Sequence, residues 1–162
     1  MIQAVAKASA ARIEFRRTIP VLRIFDIAKA KEFYLDFLGS SMDWEHRFAP
    51  DLPLYMQISR GDLRLHLSEH HGDGSPAAAV FVDMIGLEEL HHEITKKGYT
   101  HLRPGIRRME WNADTMQVLD PFGNCIRFTE YLQTRESTGK KSARSTSKNV
   151  RDGRKQAKRF NS

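Results

Sequence analysis

One cysteine, Cys125, stands in 162 residues, so no internal disulfide is available and a disulfide-stapled secreted scaffold is excluded. No stretch approaches the roughly 18 consecutive apolar residues that cross a bilayer. The opening MIQAVAKASAARIEF has no continuous apolar core of secretory type, because Lys7 and Arg12 interrupt it. A reduced, cytoplasmic location without membrane contact is therefore the expectation. Acidic residues are nearly absent from the last thirty positions, which hold ten Lys/Arg against Glu136 and Asp152. That segment carries +8 of a total of +6, which leaves residues 1–132 at −2. The basic character belongs to the tail, and a nucleic-acid reading of the body finds no support in charge.

What is present, at 40% hydrophobic content, suffices for one domain with a real core. A lead over 1–17 precedes it. A Ser/Thr/Lys/Arg-rich tail over 132–162 buries too little apolar surface to offset its ordering entropy and reads as disordered. Its charge suits weak, nonspecific contact with a nucleic acid, or simple solubility.

Between them one pattern occurs twice. TIPVLRIF (18–25) reads as a strand, Asp26 as a helix N-cap, and Ile27, Ala30, Phe33, Tyr34, Phe37 and Leu38 as a helical stripe stopped by Gly39. Strands follow at 42–48, 52–59 and 62–68, the last two joined by a turn at Arg60-Gly61-Asp62. After the polar linker EHHGDGSP (69–76), the order restarts. A strand at 78–84 leads to a helix stripe of Leu87, Leu90, His91 and Ile94 ended by Gly98, then strands at 106–111, 114–120 and 125–131. This is βαβββ written twice, repeat one over 18–68 and repeat two over 77–131. The expected fold is α+β: two tandem repeats forming an incomplete barrel with an inner cleft. The turn DPFGN (120–124) combines an Asp acceptor, a Pro that presets the first bend and a Gly able to take a positive φ.

IPVLRIFDIAKAKEFYLDFLG (19–39), the paired repeats and DPFGN together resemble the glyoxalase/bleomycin-resistance/dioxygenase superfamily, the vicinal-oxygen-chelate fold, over about residues 18–131. The resemblance implies a divalent-metal site in the enzymes of that superfamily, with ligands on the first, fourth, fifth and eighth strands. Those positions fall here on Ile19, on Leu65 or His66, on Ala77 or Ala78, and on Arg127. Neither Ile nor Ala donates to a metal and a guanidinium repels one, so no cofactor and no catalytic residue is expected.

The chain is more similar to the non-metal, bleomycin-resistance branch, with FY-x-D-x-LG closing the first helix and Trp111 nine residues before Asp120. That resemblance implies a homodimer that sequesters a bleomycin-type antibiotic, a flat and cationic small molecule, without catalysis. The implied ligand contacts are Trp44, Phe48, Tyr55, His66, Trp111 and Arg127. Core packing is the competing account of both tryptophans, and either Tyr55 or Met56 faces the cleft, since neighbours on a strand point opposite ways. The alternative is a glyoxalase-like lyase or dioxygenase with an altered metal site, using His66 and Glu69 within HLSEHHGDG (66–74), where His70, His71 and Asp73 add donors. His91 and His92 read as helix surface, and Cys125 as a small strand residue rather than a nucleophile.

Overall fold

A computed structural model describes residues 12–100 and 102–132. The expectations for the tail and for most of the N-terminal lead lie outside the described residues.

Each repeat builds one four-stranded mixed sheet. Strand β1 (Val21–Arg23) runs parallel to β4 (Leu63–Ser68), which pairs antiparallel with β3 (Tyr55–Arg60), and β3 with β2 (Ser41–His46). The second sheet repeats this with β5 (Ala79–Asp83), β8 (Cys125–Tyr131), β7 (Ala113–Leu119) and β6 (Ile106–Met109). The orders β1-β4-β3-β2 and β5-β8-β7-β6 correspond strand for strand. The protein is α+β, and its two sheets do not close into a barrel.

A helix follows the first strand of each sheet. Asp26 caps α1 (Ile27–Lys31) by accepting from the Lys29 amide at 3.0 Å. The helix then widens into a π-helical segment, Glu32–Phe37, whose side chains Phe33, Tyr34 and Phe37 are buried. Helix α2 (Leu87–Lys97) buries Leu87, Leu90 and Ile94, as their spacing predicts. The strands' inward residues meet these stripes: Leu22, Met56, Ile58, Leu65 and Leu67 in the first sheet, and Val80, Met116, Val118, Ile126 and Phe128 in the second.

The first helix ends under unusual constraint. The carbonyls of Phe37 and Leu38 accept from Lys97 and Arg60, cations suited to a helix C-terminus. Glu93 ties both cations together, and their hydrogen bonds, Arg60 first and then Lys97, hold its carboxyl below the usual range. Gly39 turns away at φ +67°, where a Cβ would stand 3.1 Å from Arg60, Glu93 and Lys97. The stop therefore requires glycine for conformation and for space.

DPFGN staples the two repeats. Asp120 Oδ1 accepts from the amides of Phe122 and Asn124 at 2.9 and 2.7 Å, and Gly123 takes φ +88°. Its Oδ2 accepts from the Tyr34 hydroxyl, 86 residues earlier, at 2.8 Å, and from Asn124 Nδ2 at 2.7 Å. Asn124 Nδ2 also donates to the carbonyl of Arg23 at the end of β1. Tyr34 and Asn124 are fully buried and Asp120 nearly so. Burial first, then the Asp120 carboxylate, pushes the Tyr34 hydroxyl well above its ordinary pKa, so it stays a donor.

Candidate ligand-binding site

The face of the first sheet turned away from α1 carries a cluster of rings. A bulge between Met42 and Trp44 shifts the β2–β3 register, so Met42 opposes Ile58 whereas Trp44 opposes Gln57. Trp44 consequently joins Tyr55, Gln57 and His66 on the open face. Its indole stacks on Tyr55, with centroids 5.9 Å apart and planes at 14°, and meets His66 edge-on at 5.4 Å. Tyr55 lines the open face while Met56 is fully buried, which resolves the choice between them.

A hydrogen-bond relay underlies the rings. Gln57 Nε2 donates to Asp43 at 2.7 Å, which leaves Gln57 Oε1 as the acceptor for His66 Nε2 at 2.9 Å. The other imidazole nitrogen, Nδ1, then accepts from the Tyr55 hydroxyl at 2.8 Å. Ser59 donates to the second Asp43 oxygen. The hydrogen bonds from Ser59 and Gln57 hold the Asp43 carboxyl below its ordinary range. Burial, then the Asp73 carboxylate, raises the Tyr55 hydroxyl, which keeps it protonated and donating.

Desolvation lowers His66 below its usual 6.5. Protonation would turn Nδ1 from acceptor to donor and break its bond with Tyr55. Because the folded value is the lower one, the unfolded chain takes up this proton first as pH falls. The contribution to stability is a penalty that sets in below about pH 6.5 and is absent above it. An NMR titration of the His66 ring is expected to give a midpoint below 6.5, moved upward by Tyr55→Phe. A midpoint at or above 6.5 would count against the relay.

Trp44, His46, Phe48, Tyr55, His70 and Asp73 enclose an open pocket of about 450 Å³. Phe48, expected on the second strand, lies beyond its end, because β2 stops at His46. It packs edge-on against His46 at 4.9 Å and His70 at 5.9 Å, and it is 76% exposed.

The second sheet presents a separate pocket of about 550 Å³, bordered by Phe81, Trp111, Gln117 and Arg127 among others. Trp111 sits not on a strand but in the turn between β6 and β7, where Asn112 adopts φ +59°. The implied contact residues thus fall into two groups: Trp44, Tyr55 and His66 on the first sheet with Phe48 just past it, and Arg127 on the second sheet with Trp111 in its β6–β7 turn. Ile19 and Ala77 border neither pocket. Both precede their strands, since β1 begins at Val21 and β5 at Ala79.

The residues do not fit the superfamily's metal. Among the described residues no three His, Cys, Asp or Glu side chains are placed to hold one ion. His66 has both ring nitrogens engaged, Glu69 accepts from the Leu54 amide at 2.8 Å, and Asp73 from Ser68 at 2.7 Å. His91 is half-buried and donates to the Pro104 carbonyl, and Cys125 is half-buried in β8. The sequence reading did not include the relay, nor Arg103 and Arg107 of the second pocket.

A family model described as a glyoxalase superfamily protein matches residues 4–135. The chain belongs to the glyoxalase superfamily. Among curated relatives, a bleomycin resistance protein from Staphylococcus aureus is 26% identical over 137 residues, covering 73% of this chain and 98% of the relative. A bleomycin-binding protein from Streptomyces verticillus, solved with copper(II)-bleomycin, shares 25% identity. It aligns at a TM-score of 0.57, over 75% of this chain and all of that one. A bleomycin resistance determinant encoded on the transposon Tn5 shares the fold at a TM-score of 0.58 and 17% identity, over 74% of this chain and all of that one. Among the described residues of this superfamily member, no helix is long and apolar enough to cross a membrane.

Proposed function

We propose that the protein binds a flat small molecule of the bleomycin type and sequesters it unchanged. The observation that carries this reading is the Trp44–Tyr55 stack, which stands half-exposed over a relay that fixes Tyr55 from beneath. A rigid, preoriented aromatic wall gains stacking energy without ordering cost. Asp73 at the rim suits a cationic group on the ligand. Relatives named for bleomycin resistance or bleomycin binding, aligned over nearly their whole lengths, support the choice of ligand class. A second copy would complete each cleft, giving a cytoplasmic homodimer.

Titration with metal-free bleomycin, followed by tryptophan fluorescence and calorimetry, is expected to saturate with a Kd on the order of micromolar or tighter. The antibiotic should be recovered intact by mass spectrometry, and sedimentation should give a dimer. No saturable signal would remove bleomycin as the ligand, and recovery of an altered molecule would remove sequestration.

A further inference from the structure

The open face of the second sheet differs in charge from that of the first. Across β5, β8 and β7, Phe81, Arg127 and Gln117 form one row. In the next row Arg107 of β6 stands opposite Thr115 of β7. Arg103, in the segment leading to β6, joins the rim, and Trp111 closes one side.

All three arginines are exposed, and among the described residues none is hydrogen-bonded or ion-paired. This is not for want of acids nearby in the chain. Asp83 and Glu110 flank the pocket in sequence without pairing, and Asp114 pairs instead with Arg108, outside it. Three free guanidiniums around one concavity repel one another, and an anion relieves that repulsion while accepting their forked donors. Phe81 and Trp111, each about half-exposed at 52% and 55%, add apolar ring surface on the same walls.

We infer that this pocket is a binding site for an aromatic anion, a planar ring system carrying a sulfonate, carboxylate or phosphate group held by Arg103, Arg107 and Arg127. The inference assigns to an anion two residues, Trp111 and Arg127, that the resemblance implies for the bleomycin-type ligand, and it leaves the first-sheet pocket, lined by Asp73 and by no Lys or Arg, to that ligand. Inorganic anion alone engages the arginines but forgoes Phe81 and Trp111, and an aromatic cation gains the rings against repulsion.

The chain has two tryptophans, so its indole NMR signals report the two sheets separately once Trp44→Phe assigns them. Naphthalene-2-sulfonate, 2-naphthylmethylammonium and inorganic sulfate are the probes, added to the full chain. The sulfonate is expected to move the Trp111 signal saturably, at least tenfold more tightly than either of the other two. Arg107→Gln with Arg127→Gln is expected to weaken it at least tenfold, while Arg108→Gln leaves it unchanged. Exposed positions on a sheet face should tolerate these changes, and circular dichroism with thermal melting checks that each variant folds.

Equal binding of the ammonium, a response at Trp44 alone, sulfate binding as tight as the sulfonate, or an unaffected double variant would each overturn the inference. So would dissociation of a dimer by the double variant, which would make these arginines an interface between copies. Bleomycin binding read at Trp44 is a separate measurement, so either reading can fail alone.

Discussion

Replacing Asp120 with alanine is expected to lower the free energy of unfolding by about 4 kcal/mol, since hydrogen bonds to a charged group contribute about 1.5–3 kcal/mol each and are not additive. The side chain accepts four bonds, from the amides of Phe122 and Asn124, the Tyr34 hydroxyl and Asn124 Nδ2. Truncation strands these donors in a region where Tyr34 and Asn124 have no exposed surface. Stranding a buried donor costs more than never having built the bond. Asp120→Asn keeps one acceptor oxygen but sets an NH2 group against the Asn124 amide nitrogen, so about half the loss is expected. Tyr34→Phe, which removes one donor and strands nothing but one carboxylate lone pair, should cost about 1–2 kcal/mol. Urea unfolding reads all three as shifts in midpoint at constant slope. A loss below about 1 kcal/mol for Asp120→Ala would mean that water reaches the carboxylate and that the staple between repeats is not a dry one.

That staple also marks how far the sequence could be read. The turn was legible because its chemistry is local: an acceptor, a fixed φ and a glycine within five residues. Its partner Tyr34 was not, because nothing in a helical stripe says which buried hydroxyl finds an acceptor 86 positions away. Helix and strand order was legible for the same reason as the turn, since apolar periods of 3.6 and 2 and glycine stops act within one element. The widening of the first helix into a π segment was not, and neither were the contacts that Arg60 and Lys97 make at its end from elsewhere in the chain.

The first pocket tested alternation itself. Strict period-two reading places Trp44 on the same face as Met42, toward the core, and this kept core packing open for the indole. One extra residue in the β2 ladder reverses that, and no residue between Met42 and Trp44 announces it. His66 lay within a one-residue choice with Leu65; Leu65 is buried, and His66 stands on the ring-bearing face. In the second pocket Arg127 was legible from its place in the last strand, whereas Arg103 and Arg107 were not. Only the register of β6, β7 and β8 brings Arg107 to the same face.

Trp44→Ala is expected to weaken bleomycin binding about 30-fold, a loss of about 2 kcal/mol, in the range of a truncated aromatic hot spot. The indole contributes one face of the wall and also shields the relay beneath it, stacked on Tyr55 and edge-on to His66. Fold stability should change by less than about 1 kcal/mol, because Trp44 is 42% exposed on an edge strand. That split between binding and stability separates a ligand wall from a core residue. Trp44→Phe restores a flat ring of smaller area and should recover most of the affinity, whereas Trp44→Leu, apolar but unable to stack, should not. Calorimetry gives the affinities and urea unfolding the stabilities. If Leu serves as well as Phe, plain apolar contact replaces stacking as the source of affinity. If alanine binds as tightly as tryptophan, the wall lies elsewhere, and the relay that fixes Tyr55 serves the sheet rather than the ligand.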